Sequence, residues 1–315
     1  NHAATVAYFQ RERFLGLDPA QVMHFPQAMM PAIDMRTGQV LLEAPGRLAL
    51  SPNGHGGSLK ALDSSGALAD MQRRGIEEIC YTQVDNPIVR VVDPLFLGLH
   101  HLDGCQMSSK MLPKREPLEK LGNFCLVDGR VTVIEYSDLP DALAHERRPD
   151  GQLRFLAGSI AILLLRVDFV ASLNRAGNFS LPFHRAEKKV PYLDLATGQM
   201  VKPEKPNAVK LETFVFDALP LCERSIIYET DRADEFAPIK NADGPGVLDS
   251  PATSKALQTA RAAHWLEAHG LRVPRHPDGT PQATLEIAQA TAIEPADLAA
   301  VKLPAAIAPG SSLLL

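Results

Sequence analysis

Residues 157–167, Ala-Gly-Ser-Ile-Ala-Ile-Leu-Leu-Leu-Arg-Val, are apolar on both faces of an extended chain. A strand of that kind is buried from both sides, so it needs partner strands in its plane and helices above and below. The surrounding sequence supplies both. Ile76 to Val84 and Cys105 to Leu112 read as strands, while Pro94 to His101 carries helical spacing. Asp70-Met-Gln-Arg-Arg-Gly75 reads as a helix end with glycine just past it. Phe124 to Val127 and Val131 to Tyr136 flank Asp128-Gly129, a hairpin signal because both turn positions take positive φ. Strands alternating with helices, plus one hairpin, predict an α/β domain around a mixed sheet.

The texture changes near residue 241. Asn241 to Pro251 is rich in Gly, Pro and Asp, and a helix is expected from Ser254 to His269, stopped by Gly270. A short helix is expected near Pro295 to Val301. These features predict a core over 1–245 and a small C-terminal subdomain or tail over 246–315. Phe214 to Cys222 fits either helix or strand, and Pro220 limits both.

The chain has 315 residues, with 32 basic and 37 acidic side chains and a net charge of -5. No long block of like charge makes a nucleic-acid footprint, so an anionic ligand must be met by local basic groups. The longest apolar run, Ile160 to Leu165, is far shorter than the ~20 residues a membrane span needs. No basic-then-apolar leader is evident at the start. Cys80, Cys105, Cys125 and Cys222 are widely spaced and read as small buried hydrophobes in a reducing compartment. The expectation is a cytoplasmic protein without nucleic-acid or membrane partners.

Three constellations can carry chemistry. Ser51-Pro-Asn-Gly-His-Gly-Gly57 puts three glycines around His55. Glycine serves where φ must be positive or where a ligand approaches the main chain, and bare N–H groups in series form an anion site. A tight turn with a surface histidine is the plain alternative. Asp85, in Gln83-Val-Asp-Asn86, follows a strand in the place where open α/β sheets bind ligands. A carboxylate there holds a divalent cation or caps the next segment. Asp168, at another strand end, fits capping better. Lys202, Lys205, Lys210 and Lys240 lie in loop-like stretches, where a lysine serves phosphate transfer or is simply solvated.

Taken in order, these pieces resemble the eukaryotic-type UDP-sugar pyrophosphorylases, the UDP-N-acetylhexosamine branch more closely than the UDP-glucose branch. The carriers are FPQAMMP at 25–31, LALSPNGHGG at 48–57, QVDN at 83–86, VIEYSD at 133–138, FLAGSI at 155–160, PYLD at 191–194, KPNAVKLETFVFD at 205–217 and FAPIKNAD at 236–243. The resemblance implies a Rossmann-like mixed sheet flanked by helices, of the nucleotide-diphospho-sugar transferase type. It implies a nucleotidyltransferase with Mg²⁺ that joins UTP and a sugar 1-phosphate into a UDP-sugar and pyrophosphate. Gln27, Gly54, His55 and Asp85 match nucleotide-binding positions, and Asp85 also matches the metal ligand. Lys240 matches the lysine that reaches the phosphates and, with Asp85, stands as the catalytic pair. Gly122, Glu135, Tyr136, Ser159, Phe214 and Phe216 match sugar-side positions. Phe214 and Phe216 as core and Tyr136 as a hairpin residue are the bland alternatives.

Three departures from the family pattern stand out, and the first two bear on substrate. The hexosamine branch usually carries asparagine where His55 stands, and the glucose branch histidine. Ser159 replaces the asparagine of the family's A-G-N block. Both leave N-acetylglucosamine 1-phosphate, glucose 1-phosphate and a broader sugar range open. The family's G-G-x-G-T-R loop lies upstream of Asn1-His2-Ala3-Ala4-Thr5. That predicts a longer protein, or, if the loop is truly absent, a UDP-sugar-binding or scaffold protein with little turnover.

Overall fold

The structure is a computed structural model that describes residues 1–175, 179 and 181–315. The apolar run forms the strand Ala157–Arg166 inside a six-stranded mixed sheet. The order is Ile227–Glu229, Met107–Pro113, Ala157–Arg166, Gly122–Val127, Arg130–Ile134, and Glu78–Tyr81 also pairs with the Ala157–Arg166 strand. Ile227–Glu229 runs parallel to its neighbour Met107–Pro113. Gly122–Val127 runs antiparallel to Ala157–Arg166, with Ser159 opposite Gly122. Ile160, Ile162, Leu163, Leu164 and Leu165 are each no more than 5% exposed, so both faces of this strand are covered as the sequence requires. The fold is α/β, a central mixed sheet flanked by helices.

Local chemistry sets the element ends. Asp128 (φ 50) and Gly129 (φ 76) make the turn between Gly122–Val127 and Arg130–Ile134, both positive as a two-residue hairpin demands. The helix Pro94–Leu102 begins where Asp93 Oδ1 accepts from the Leu95 and Phe96 amides at 3.0 and 3.1 Å. The long helix Pro251–Ala268 is capped by Ser250, and Gly270 (φ 84) lies just past it.

Elsewhere the structure revises the sequence reading. Phe214 to Cys222 holds a 3₁₀ helix, Val215–Leu221, because Pro220 cannot donate to a longer ladder. Lys210 belongs to the strand Ala208–Glu212 rather than a loop: it pairs opposite Ala186 in an antiparallel ladder, and Ala208 at the strand's start packs into an apolar cluster. Asp168 is no cap: Arg166 occupies the N-cap position of Val167–Leu173, and Asp168, in the first turn, pairs with the Arg166 guanidinium. The four cysteines are free thiols, but Cys80 and Cys125 are only half-buried.

Two compact units divide the chain. The first gathers 1–79, 128–132 and 165–222, and the second 80–127, 133–164 and 223–315. In the first, Ala32, Leu41, Ala49, Val190 and Ala208 form one apolar cluster. In the second, Val89, Leu112, Leu121, Ile160, Ile162 and Phe236 form another. The segment 246–315 falls in the second unit and packs Trp265, Leu266, Leu285 and Leu298 into a further cluster. Among the described residues no helix is long and apolar enough to cross a membrane.

Candidate functional site

Gln27, Gly54, His55, Phe214 and Phe216 belong to the first unit, and Asp85, Gly122, Glu135, Tyr136, Ser159 and Lys240 to the second.

In the first unit the glycine-rich bend is built against the end of the strand Ala208–Glu212. Gly56 N donates to Thr213 O, and Thr213 N donates to Asn53 O, both at 2.8 Å. Gly54 has φ +80, and a Cβ there would sit 2.3 Å from Thr213 O. At Gly57 it would sit 2.0 Å from Asn53 Oδ1. The fold itself therefore demands these glycines, a cause that the sequence does not disclose. Gln27 closes the bend: its Nε2 donates to Asn53 Oδ1 at 2.8 Å and to Gly54 O at 2.7 Å. With both N–H donors committed, the Gln27 Oε1 acceptor is what remains for a ligand.

His55 lies in this bend among aromatic rings, 5.1 Å from Phe214 and 5.6 Å from Phe216, whose centroids are 5.0 Å apart. Burial pushes its imidazole down to about 4, so it is neutral near pH 7. Its Nδ1 accepts from the Val215 amide at 3.2 Å, which puts the proton on Nε2. Two residues that sequence reasoning missed complete the cluster. The His184 ring sits 4.7 Å from Phe214 and its Nε2 lies 2.9 Å from Asp217 Oδ2. Burial raises the Asp217 carboxyl, against the lowering effect of His184. A histidine and an acid 33 positions apart give no local pattern from which this pair could be read.

The neutral His55 carries a pH consequence. Folded, it titrates at about 4; unfolded, at the ordinary histidine value of 6.5. The unfolded chain therefore binds more protons between those values, and stability falls as pH drops through that window. Acidifying from pH 7 to pH 4 is expected to remove about 3 kcal/mol through this residue. Urea midpoints of wild type and His55→Gln across that range check it: the variant's profile should be flatter, and parallel profiles would disprove the assignment.

In the second unit Asp85 and Lys240 come together. Ile239 N donates to Asp85 O at 2.8 Å, so the two main chains pair within one residue of Lys240. Lys240 is then fixed on its own side by N–H donation to Asp249 O at 2.7 Å. Asp85 stands close enough to Tyr81 that its charge adds to burial in raising that phenol, against a hydrogen bond from Gln83. Among the described residues no group of three or more His, Cys, Asp or Glu could hold a metal ion. A cation at Asp85 would take a single carboxylate from the described residues and fill its shell from phosphate and water. That donor set suits Mg²⁺, which typically takes one or two carboxylates plus phosphates.

Three sugar-side candidates also converge in this unit. Ser159 faces Gly122 across the antiparallel pair. A Cβ on Gly122 would lie 3.5 Å from Glu135 Oε1 and 3.7 Å from Ser159 Cβ. The nearest atom to that Cβ position is the Val133 Cγ1 methyl at 2.6 Å, so the glycine makes room for Val133, with Glu135 and Ser159 bordering the same space. Tyr136, next along, is not drawn into that space in the same way and stays 45% exposed. Lys114, also missed, lies beneath: its buried Nζ donates to Asn123 Oδ1 at 2.8 Å and to Pro117 O at 2.9 Å. Burial holds its ammonium below the usual lysine range, against the raising effect of Glu119.

The chain shares its fold with the uridine diphosphate N-acetylglucosamine pyrophosphorylase of Trypanosoma brucei, solved with an inhibitor: TM-score 0.79, 27% identity, covering 95% of this chain and 61% of that one. The family described as UTP--glucose-1-phosphate uridylyltransferase matches residues 2–275, and the chain belongs to that family. It is 39% identical over 295 residues to human UDP-N-acetylhexosamine pyrophosphorylase-like protein 1, covering 90% of this chain and 58% of that protein. It is 36% identical over 272 residues to the UDP-N-acetylglucosamine pyrophosphorylase of Saccharomyces cerevisiae, covering 85% of this chain and 56% of that one. The chain thus spans little more than half the length of these curated relatives.

Proposed function

We propose that the protein transfers a uridylyl group from UTP to a sugar 1-phosphate, N-acetylglucosamine 1-phosphate first among them, releasing pyrophosphate. The observation that supports this reading most is the main-chain bond from Ile239 N to Asp85 O, which brings the backbone of the candidate acid within one residue of Lys240. Gln27 and the Gly54 bend receive the uracil, Gln27 Oε1 accepting from the base N–H, and His55 Nε2 donates toward the nucleotide. Lys240 meets the phosphates and Asp85 holds Mg²⁺. Mg²⁺ held there would supply positive charge to the phosphates; the sugar phosphate oxygen attacks the α-phosphorus and pyrophosphate leaves. Catalysis then rests on positioning and charge, with no covalent enzyme intermediate. In the second unit Gly122, Glu135 and Ser159 face the sugar. The free thiols support a cytoplasmic setting.

Pyrophosphate release from UTP over a panel of sugar 1-phosphates tests the reading. Turnover with N-acetylglucosamine 1-phosphate is expected, and none with any sugar would leave a binding or scaffold protein. Ser159→Asn lengthens the side chain facing Gly122 and adds an amide donor and acceptor. It is expected to shift the kcat/KM ratio between the acetylated and plain sugar by about tenfold or more. An unchanged ratio would remove Ser159 from the sugar site.

A further inference from the structure

We infer that Asn86, anchored by a buried ion cluster centred on Lys110, is the positioning residue that sets Asp85 against Lys240. The inference rests on the proposed roles of those two residues.

Lys110 lies mid-strand in Met107–Pro113 and is fully buried. Its Nζ is 2.5 Å from Asp93 Oδ2 and 2.5 Å from Glu235 Oε2. It also sits 5.4 Å from the Phe96 ring and 5.7 Å from Tyr228. An ammonium so placed is tolerated only because opposite charges meet it. Glu235 is itself saturated: Oε2 accepts from Thr230 Oγ1 at 2.6 Å, and Oε1 from the Arg90 amide at 3.3 Å. Asp93 is fixed as the helix cap. Burial alone would raise its carboxyl, but Lys110 and the cap bonds together hold it below the usual range. Neither acid can move without stranding the lysine.

That rigidity passes to Asp85 through one side chain. Asn86 is 5% exposed, and its amide bridges two backbone groups of the segment that Glu235 anchors. Nδ2 donates to Glu235 O at 2.7 Å, and Oδ1 accepts from Ala237 N at 3.0 Å. Ile239 N then donates to Asp85 O at 2.8 Å. Ser254 Oγ holds Ala237 O from the far side at 2.6 Å. Three bonds in series thus zip 85–86 onto 235–239, and the Asn86 amide makes two of them. No other side chain bonds both to Glu235 O and to Ala237 N among the described residues.

Asn86→Ala in the full-length protein tests this. The expected result is a kcat at least about 100-fold lower, with KM for the sugar 1-phosphate within about twofold. The Mg²⁺ concentration for half-maximal rate should rise about tenfold. Amide exchange at Ala237 and Ile239 should speed up while the Ala157–Arg166 strand stays protected. Asn86→Asp keeps the acceptor for Ala237 N but turns an oxygen toward Glu235 O. It should share the kcat and Mg²⁺ effects with a smaller exchange effect at Ala237, and it serves if the alanine variant does not fold. Unchanged Mg²⁺ dependence and unchanged exchange in either folded variant would overturn the inference. A wild type inactive with every sugar would instead overturn the proposed function, while the exchange rates still decide the role of Asn86.

Discussion

Replacing Asp85 by asparagine is expected to lower turnover at least about 1,000-fold, the scale of losing a principal electrostatic contact in a transition state. The fold should survive. The substitution keeps side-chain volume, and the bond that holds this position runs from Ile239 N to the Asp85 carbonyl, which the change leaves in place. Stability should therefore shift by no more than about 0.5 kcal/mol. Initial rates of pyrophosphate release beside a thermal melt decide the matter. A variant with near-normal turnover would show that the metal and the phosphates are held by other groups.

Gly54→Ala should show the opposite balance, with a large loss of stability before any question of ligand. Its φ of +80 strains any L side chain, at about 1–2 kcal/mol. The added methyl would meet Thr213 O at 2.3 Å and Thr213 N at 2.6 Å, backbone atoms that cannot rotate away. Forcing the Ala208–Glu212 strand end back adds about 1–3 kcal/mol. The melting midpoint should fall by roughly 5–15 °C. Gly46 separates the two effects: its φ is +68 but nothing lies within 4 Å of its Cβ position. Gly46→Ala should carry only the conformational cost, and equal losses in the two variants would refute the packing argument.

Both cases bear on how far the amino-acid order can be read. The 157–167 run, the Asp128-Gly129 turn and the capped helix after 251 follow from short-range rules: period, positive φ and capping chemistry. The first two form where those rules place them; the helix begins at Pro251, three residues ahead of the expected Ser254, because Ser250 caps it and Pro251 suits the first helical position. The 214–222 stretch did not yield to them, because its apolar residues suit several elements and Pro220 limits each of them. The candidate site divides the same way. Asp85, Lys240 and the glycine bend stood out by residue type and by family likeness. Why the bend needs glycine emerged only with Thr213 beside it, 159 positions from Gly54.

The sequence by itself determined the central strand, the hairpin turn and the fold class, and carried the family likeness, because each rests on neighbours a few positions apart or on a matching order of blocks. Tertiary structure alone decided which distant groups share a proton or a charge: Lys110 with Asp93 and Glu235, His184 with Asp217, Asn86 with Ala237. Hydrogen bonds and ion pairs act over about 3 Å in space and are indifferent to separation along the chain. A lysine inside an apolar strand announces that it needs a partner; only the fold says which one.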